Sequence, residues 1–157
     1  MSKDPVPLKA VHHIEFWVGN AKQAAFFYRN AFGFNQIAYS GLETGDRDKA
    51  SYVMEQGRVR LVFSTPLNGN NGISAHIKKH GDGVKDIAFH VDDAKACYEA
   101  CVARGAKSAS EPRILEDDNG KVTHASICTY GETIHSFISH DTYKGPFLPG
   151  FQENKKR

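Results

Sequence analysis

His13-Ile14-Glu15-Phe16-Trp17-Val18-Gly19-Asn20-Ala21-Lys22 returns, at an offset of 73 residues counted from His13 to Asp86, as Asp86-Ile87-Ala88-Phe89-His90-Val91-Asp92-Asp93-Ala94-Lys95. Ile, Phe, Val, Ala and Lys recur in register. In both stretches Ile, Phe and Val alternate with other residues, the period of a strand with one buried face, and then the period lengthens to that of a helix. Asn20 and Asp93 stand where a side-chain oxygen can accept the first free amides of that helix. Ala21, Ala24, Ala25, Tyr28 and Phe32 then make one apolar stripe, and Ala94, Cys97, Tyr98, Cys101 and Val102 make another. Gly33 and Gly105 supply the left-handed residue that ends such helices.

Outward from these two units, strand-like runs cover Phe34 to Tyr39, Ala50 to Met54 and Arg58 to Ser64, with Glu55-Gln56-Gly57 as a tight turn. After the second unit the runs are Lys107 to Ser110, Val122 to Thr129 and Thr133 to Ser139. Pro112, Asp117, Asp118, Asn119 and Gly120 mark a polar hairpin. The pattern predicts an α+β fold of duplicated βαβββ modules, a half-open barrel whose strands curl around a shared cleft with the helices outside. A unit repeated only twice at this length is not a solenoid. We place the modules at 11–65 and 84–140 within one domain, 11–140, joined by 66–83. Residues 1–10 form an N-terminal extension and 141–157 a tail. Ile14, Phe16, Val18 and their counterparts Ile87, Phe89, Val91 are each expected to fill the interior of their own half. Pro66 to Ser74 reads as a mobile connection, and Phe147-Leu148-Pro149-Gly150-Phe151 as an apolar strap docked on the domain.

With 157 residues, 40% of them hydrophobic and 24% charged, the chain suits one folded domain and excludes disordered and coiled-coil classes. A net charge of +2, with Lys155, Lys156 and Arg157 at its end, leaves a nearly neutral body and no electrostatic case for nucleic acid. No apolar run reaches membrane-spanning length, and Lys3, Asp4, Pro5 and Pro7 occupy the place where a signal peptide needs apolar residues. A cytoplasmic protein that does not bind membranes is expected. Cys97, Cys101 and Cys128 are then reduced thiols.

Longer strings carry a resemblance. They are Val18-Gly19-Asn20-Ala21 followed by Ala24-Ala25; Gly41-Leu42-Glu43-Thr44-Gly45; His80-Gly81-Asp82-Gly83-Val84-Lys85-Asp86-Ile87-Ala88-Phe89; Arg104-Gly105-Ala106; Thr129-Tyr130-Gly131; and Phe147-Leu148-Pro149-Gly150-Phe151. In order and spacing these resemble the N-terminal domain of the 4-hydroxyphenylpyruvate dioxygenase family, within the vicinal-oxygen-chelate (glyoxalase-like) superfamily, and less closely the related 4-hydroxymandelate synthases. The resemblance implies an Fe(II) enzyme of tyrosine catabolism that converts 4-hydroxyphenylpyruvate and O2 to homogentisate and CO2. It also implies that two histidines and a glutamate of a C-terminal domain hold the iron. That domain falls outside this sequence, so the chain alone is expected to be inactive and structural, either a homo-oligomer or the partner of the missing catalytic domain. Phe147, Leu148 and Phe151 are expected to favour self-association. The alternative is a stand-alone module that binds a small aromatic or hydrophobic ligand without turnover.

In the superfamily, ligands come from the first and last strands of each module. The resemblance thus points to His13, Asp86 and a residue near Ser136, with Val62 at the remaining place. A facial triad needs two imidazoles and one carboxylate. His13, Asp86 and Ser136 do not supply them, so we expect no catalytic, cofactor or metal residues in this chain. The remaining candidates read as structural. His76 and His80 are four apart, a spacing that could clamp zinc on a helix, yet without an evident third ligand they suit a short solvated helix. Cys97 and Cys101 fall on an apolar stripe and read as buried small residues. Trp17 and His90 are equivalent packing positions. His12 is expected to point away from His13, across the strand. Gly81 and Gly83 precede a strand where a phosphate loop needs a helix.

Overall fold

The computed structural model describes residues 3–154. Lys155, Lys156 and Arg157, the terminal cations noted above, lie outside the described residues. In chain order the elements are β1 (Ala10–Trp17), α1 (Ala21–Phe32), β2 (Asn35–Ser40), β3 (Lys49–Gln56), β4 (Val59–Pro66), α2 (Gly72–His80), β5 (Gly83–His90), α3 (Ala94–Ala103), β6 (Ser108–Asp117), β7 (Gly120–Cys128), β8 (Ile134–Ser139) and β9 (Gln152–Glu153).

The nine strands among the described residues form one sheet in the order β6-β7-β8-β5-β1-β4-β3-β2-β9. The two repeat strands meet at its centre. β1 and β5 run antiparallel, and their register sets Ile14 opposite Ile87, its own counterpart in the repeat. A local twofold relation therefore passes between these residues. On each side of it the module's first strand pairs in parallel with its last, Phe16 beside Phe63 and Phe89 beside Phe137. The remaining strands follow as antiparallel neighbours. This is the half-barrel with external helices that the repeat predicts.

Asn20 and Asp93 cap their helices as expected, accepting from the amides of Gln23 and Ala96. Beneath α1, Ala21, Ala25, Phe34, Met54, Leu61 and Phe63 form a core; beneath α3, Val91, Ala94, Cys97, Tyr98, Ala125 and Phe137 form its counterpart. Depth is distributed differently from the expectation. Val18 and Val91 are buried, but Ile14, Phe16, Ile87 and Phe89 are only half-buried, so the deepest rings are their strand partners Phe63 and Phe137. The stripe also ends early on both helices. Phe32 and Val102 are exposed at the last turns, and Phe32 stacks on Tyr28.

The connection between modules is more ordered than its glycines and asparagines suggest. Asn71 caps α2 by accepting from the Ser74 amide, and Ile73 and His76 are buried. The tail docks as a strap. Phe147 packs with Ala38, Val53 and Val62 on the concave face, and Tyr143 with Ala88, Val122 and Ile138. With Phe147 only 3% exposed, the strap satisfies its apolar surface within its own chain, and the expected self-association loses that basis. The exposed apolar rings lie instead on α1, at Phe26, Phe27 and Phe32.

If the halves carry equivalent cores, Phe63→Ala and Phe137→Ala will each cost about 3–5 kcal/mol, as buried phenylalanines do. Lys22→Ala and Lys95→Ala, in exposed first turns, will change stability by less than about 0.5 kcal/mol. Urea midpoints for the four variants test this. A silent Phe137→Ala beside an unfolded Phe63→Ala would contradict the matched architecture.

Candidate functional site

Strand alternation fixes what faces the concave side. With Ile14 and Ile87 turned toward the helices, His13, Glu15, Asp86 and Ala88 turn toward the cleft. The register makes Glu15 and Asp86 direct cross-strand partners. One ring nitrogen of His13 and one carboxylate oxygen each from Glu15 and Asp86 lie within 4.8 Å of one another. These residues line a cavity of about 640 Å³ with Ser40, Ser51, Val62, His124 and the strap residues Phe147 to Phe151, under a rim that carries Arg47, Lys49 and Arg113.

His13 and Asp86 thus do converge. Ser136 joins them as a donor: its amide gives a 3.0 Å hydrogen bond to Asp86 Oδ1 and its hydroxyl a 2.5 Å bond to Oδ2. Val62 lines the same cavity, as expected. Glu15 is the residue that the sequence reading passed over, although its position two after His13 on a strand placed it on the same face. It accepts from Trp17 Nε1 at 3.0 Å and lies 3.9 Å from Lys49 Nζ. His124, on β7, was not foreseen either. Its Nδ1 is buried without a hydrogen-bond partner among the described residues.

His12 does not point away from His13. The pairing of β1 with β5 slips between Val11 and His13, and such a bulge breaks the two-residue alternation locally. Both rings therefore pack on Phe147, at 5.6 Å and 5.0 Å between centroids. Their Nδ1 atoms lie 2.7 Å apart, and His12 Nε2 lies 2.6 Å from His140 Nε2. The three imidazoles form a hydrogen-bonded row from the cleft to a smaller cavity of about 350 Å³ lined by His90, His140, Arg58 and Arg60.

Burial sets the charge of this cluster. It lowers His12 to about 2, with His13 and His140 adding repulsion, and it lowers His13 and His124 each to about 4. These rings are neutral at pH 7. Burial also raises Asp86 to about 7 against the opposing hydrogen bonds from Ser136, with the Glu15 charge adding to the rise. For Glu15 burial acts upward too, but Lys49 and His13 outweigh it and hold the carboxyl below its ordinary value. The cleft therefore pairs an ionised carboxylate with one that exchanges its proton near neutrality, a combination suited to proton transfer.

The other candidates lie elsewhere in the fold. Cys97 is buried and Cys101 half-buried on α3. Trp17 packs edge-on against His76, while its counterpart His90 lies 5.4 Å from the His140 ring. Gly83 opens β5. His76 is buried, so α2 is not the fully solvated helix expected of it.

Iron(II) of the oxygen-activating kind calls for two imidazoles, one carboxylate and open positions. Within 4.8 Å of one another the cleft brings together one imidazole and two carboxylates, those of His13, Glu15 and Asp86, with both Asp86 oxygens already bonded by Ser136. His124 lines the same cavity but lies outside that group. Both nitrogens of the nearby His12 are taken by His13 and His140. The donor set does not fit that metal.

Residues 12–123 match the family model described as the glyoxalase/bleomycin resistance protein/dioxygenase superfamily. The chain belongs to that superfamily. Within it, the likeness is to part of the 4-hydroxyphenylpyruvate dioxygenases. The chain is 49% identical to that enzyme of Dictyostelium discoideum over 92% of its own length and 40% of the relative's, and 49% identical to that of Xenopus tropicalis over 90% and 36%. It spans about two fifths of these curated relatives, the share expected of an N-terminal domain. Among solved structures, a mutant of 4-hydroxymandelate synthase from Streptomyces coelicolor superposes with a TM-score of 0.85 at 24% identity, covering 94% of this chain and 42% of that one. A methylmalonyl-CoA epimerase from the same organism gives 0.71 at 17% identity, covering 89% of this chain and 100% of that one. These two likenesses establish the fold alone.

The cluster has a pH signature. Neutral buried histidines have native pKa values below their unfolded 6.5. The native state thus binds fewer protons between about pH 4 and 6.5, and stability rises with pH across that window. Asp86, raised from 3.8 to about 7, binds more protons when folded and opposes the rise. Urea midpoints should therefore climb from pH 4 to 6.5, and climb more steeply in Asp86→Asn. A flat profile, or a shallower one in the variant, would contradict the assignment.

Proposed function

We propose that this chain is the non-catalytic half of a 4-hydroxyphenylpyruvate dioxygenase-like protein, with residues 11–140 as one domain of two modules, 11–65 and 84–140, joined by 66–83. In this reading a separate module supplies the Fe(II) site and the conversion of 4-hydroxyphenylpyruvate and O2 to homogentisate and CO2 in tyrosine catabolism. The present chain contributes a folded body against which that module or a second copy packs. No helix among the described residues is long and apolar enough to cross a membrane, and the reading places the protein in the cytoplasm. The observation that carries it is the group of donors that converge in the cleft, the His13 imidazole and the Glu15 and Asp86 carboxylates with Asp86 tied to Ser136, in a chain 49% identical to two fifths of such an enzyme.

One observation favours a second reading. The cleft keeps about 640 Å³ of space beside a buried His124 Nδ1 that lacks a partner among the described residues, which suits a small aromatic ligand bound without turnover.

Oxygen uptake by the 157-residue chain with added Fe(II) and 4-hydroxyphenylpyruvate is the test. The expected result is no consumption above the protein-free rate. Consumption that disappears in His13→Ala would place the chemistry in this cleft and overturn the proposal. Saturable binding of 4-hydroxyphenylpyruvate without uptake, lost in His124→Ala, would favour the second reading.

A further inference from the structure

His76 and His80 lie one turn apart on α2, and no neighbouring residue in sequence completes a metal site with them. The fold brings the missing ligand from the turn before β8. Glu132 Oε2 lies 2.8 Å from His80 Nε2 and 3.6 Å from His76 Nδ1. One atom from each of the three side chains falls within 4.8 Å of the others. A tetrahedral zinc ion with bonds of about 2.0–2.1 Å spaces its ligand atoms roughly 3.3 Å apart, between the two separations found here.

The parts are held in place from outside the cluster. Trp17 packs edge-on against the His76 ring at 5.1 Å, and Lys85 lies 4.7 Å above the Trp17 ring. Lys85 Nζ also donates to the Glu132 main-chain oxygen at 2.7 Å. His76 is only 9% exposed, yet its Nδ1 faces Glu132 at a distance too long for a hydrogen bond. A surface ion pair accounts for part of the arrangement, because Lys79 Nζ binds Glu132 Oε1 at 2.5 Å. It leaves Oε2 to the two imidazoles, and an ion at Oε2 is compatible with Lys79 on the other oxygen. Two imidazoles and one carboxylate, with a fourth position left for water, form a donor set that suits zinc.

We propose that His76, His80 and Glu132 bind one divalent transition-metal ion of the zinc class, at the edge of a cavity of about 660 Å³ that His76, Glu132, Trp17, Lys85 and Cys128 line. The site is separate from the His13 cleft and independent of the function proposed above. In it, the metal ties α2, the segment between the modules, to the last strand of the second module.

The test is titration of the whole chain with Co2+, followed by the visible ligand-field bands of tetrahedral cobalt and by displacement with Zn2+. One equivalent is expected to bind with a tetrahedral spectrum. His80→Ala and Glu132→Gln should weaken binding by at least about tenfold, since even supporting groups cost that much when removed. Both residues are exposed, at 41% and 43% of their side chains, so the variants are expected to fold, which circular dichroism checks. Asp86→Asn, which alters the cleft at a residue bonded to Ser136 and not to Trp17, should leave the titration unchanged. No tetrahedral signal, unchanged binding in both ligand variants, or loss of binding in Asp86→Asn would each overturn the proposal.

Discussion

The pairing of β1 with β5 is the constraint on which the rest of the molecule depends. Each module opens on a strand that is buried or half-buried over most of its length, and an edge left there would expose unpaired backbone groups beside apolar side chains. Joining the two strands antiparallel removes both edges at once. Because Ile14 then faces Ile87, the repeats are related by a twofold operation, and each module builds outward through its own last strand. Nothing between residues 66 and 83 has to enforce this symmetry. The register does so, since a one-residue slip would turn Ile14 and Phe16 toward the cleft and His13 and Glu15 toward the helices.

The same register concentrates ionisable groups at the axis. Burying a lone carboxylate is costly unless it is bonded or neutralised, and each residue here meets that cost differently. Glu15 keeps its charge beside Lys49 and the Trp17 indole. Asp86 takes two bonds from Ser136 and holds a proton more readily than an ordinary aspartate. His12 and His13 shed their protons and bond to one another. The strap completes the arrangement by placing Phe147 against both imidazoles, so the tail is part of the cleft wall as well as of the core.

Much of the fold was legible because duplication makes each half a check on the other. The alternation around Ile14, Phe16 and Val18, the Asn20 and Asp93 caps and the stops at Gly33 and Gly105 all reappear in the structure. The site was legible only in part. His13 and Asp86 follow from the repeat, and Glu15 follows from strand periodicity once His13 is placed. His12 does not, because a bulge leaves no mark in the residues that form it. His124, His140 and Glu132 are also out of reach, since they arrive from strands and turns far along the chain and only pairing brings them in. The burial of His76 and the docking of Phe147 likewise depend on surfaces that local sequence does not encode.

That Glu15 and Asp86 face each other across the repeat axis is the claim on which the account of the cleft stands. The carboxyl carbon resonance of Asp86, followed by NMR as a function of pH in the parent chain and in Glu15→Gln, tests it directly. The account predicts a midpoint near 7 in the parent and a lower one in the variant, where the facing charge is gone. A midpoint near the ordinary 3.8, unmoved by the substitution, would contradict it.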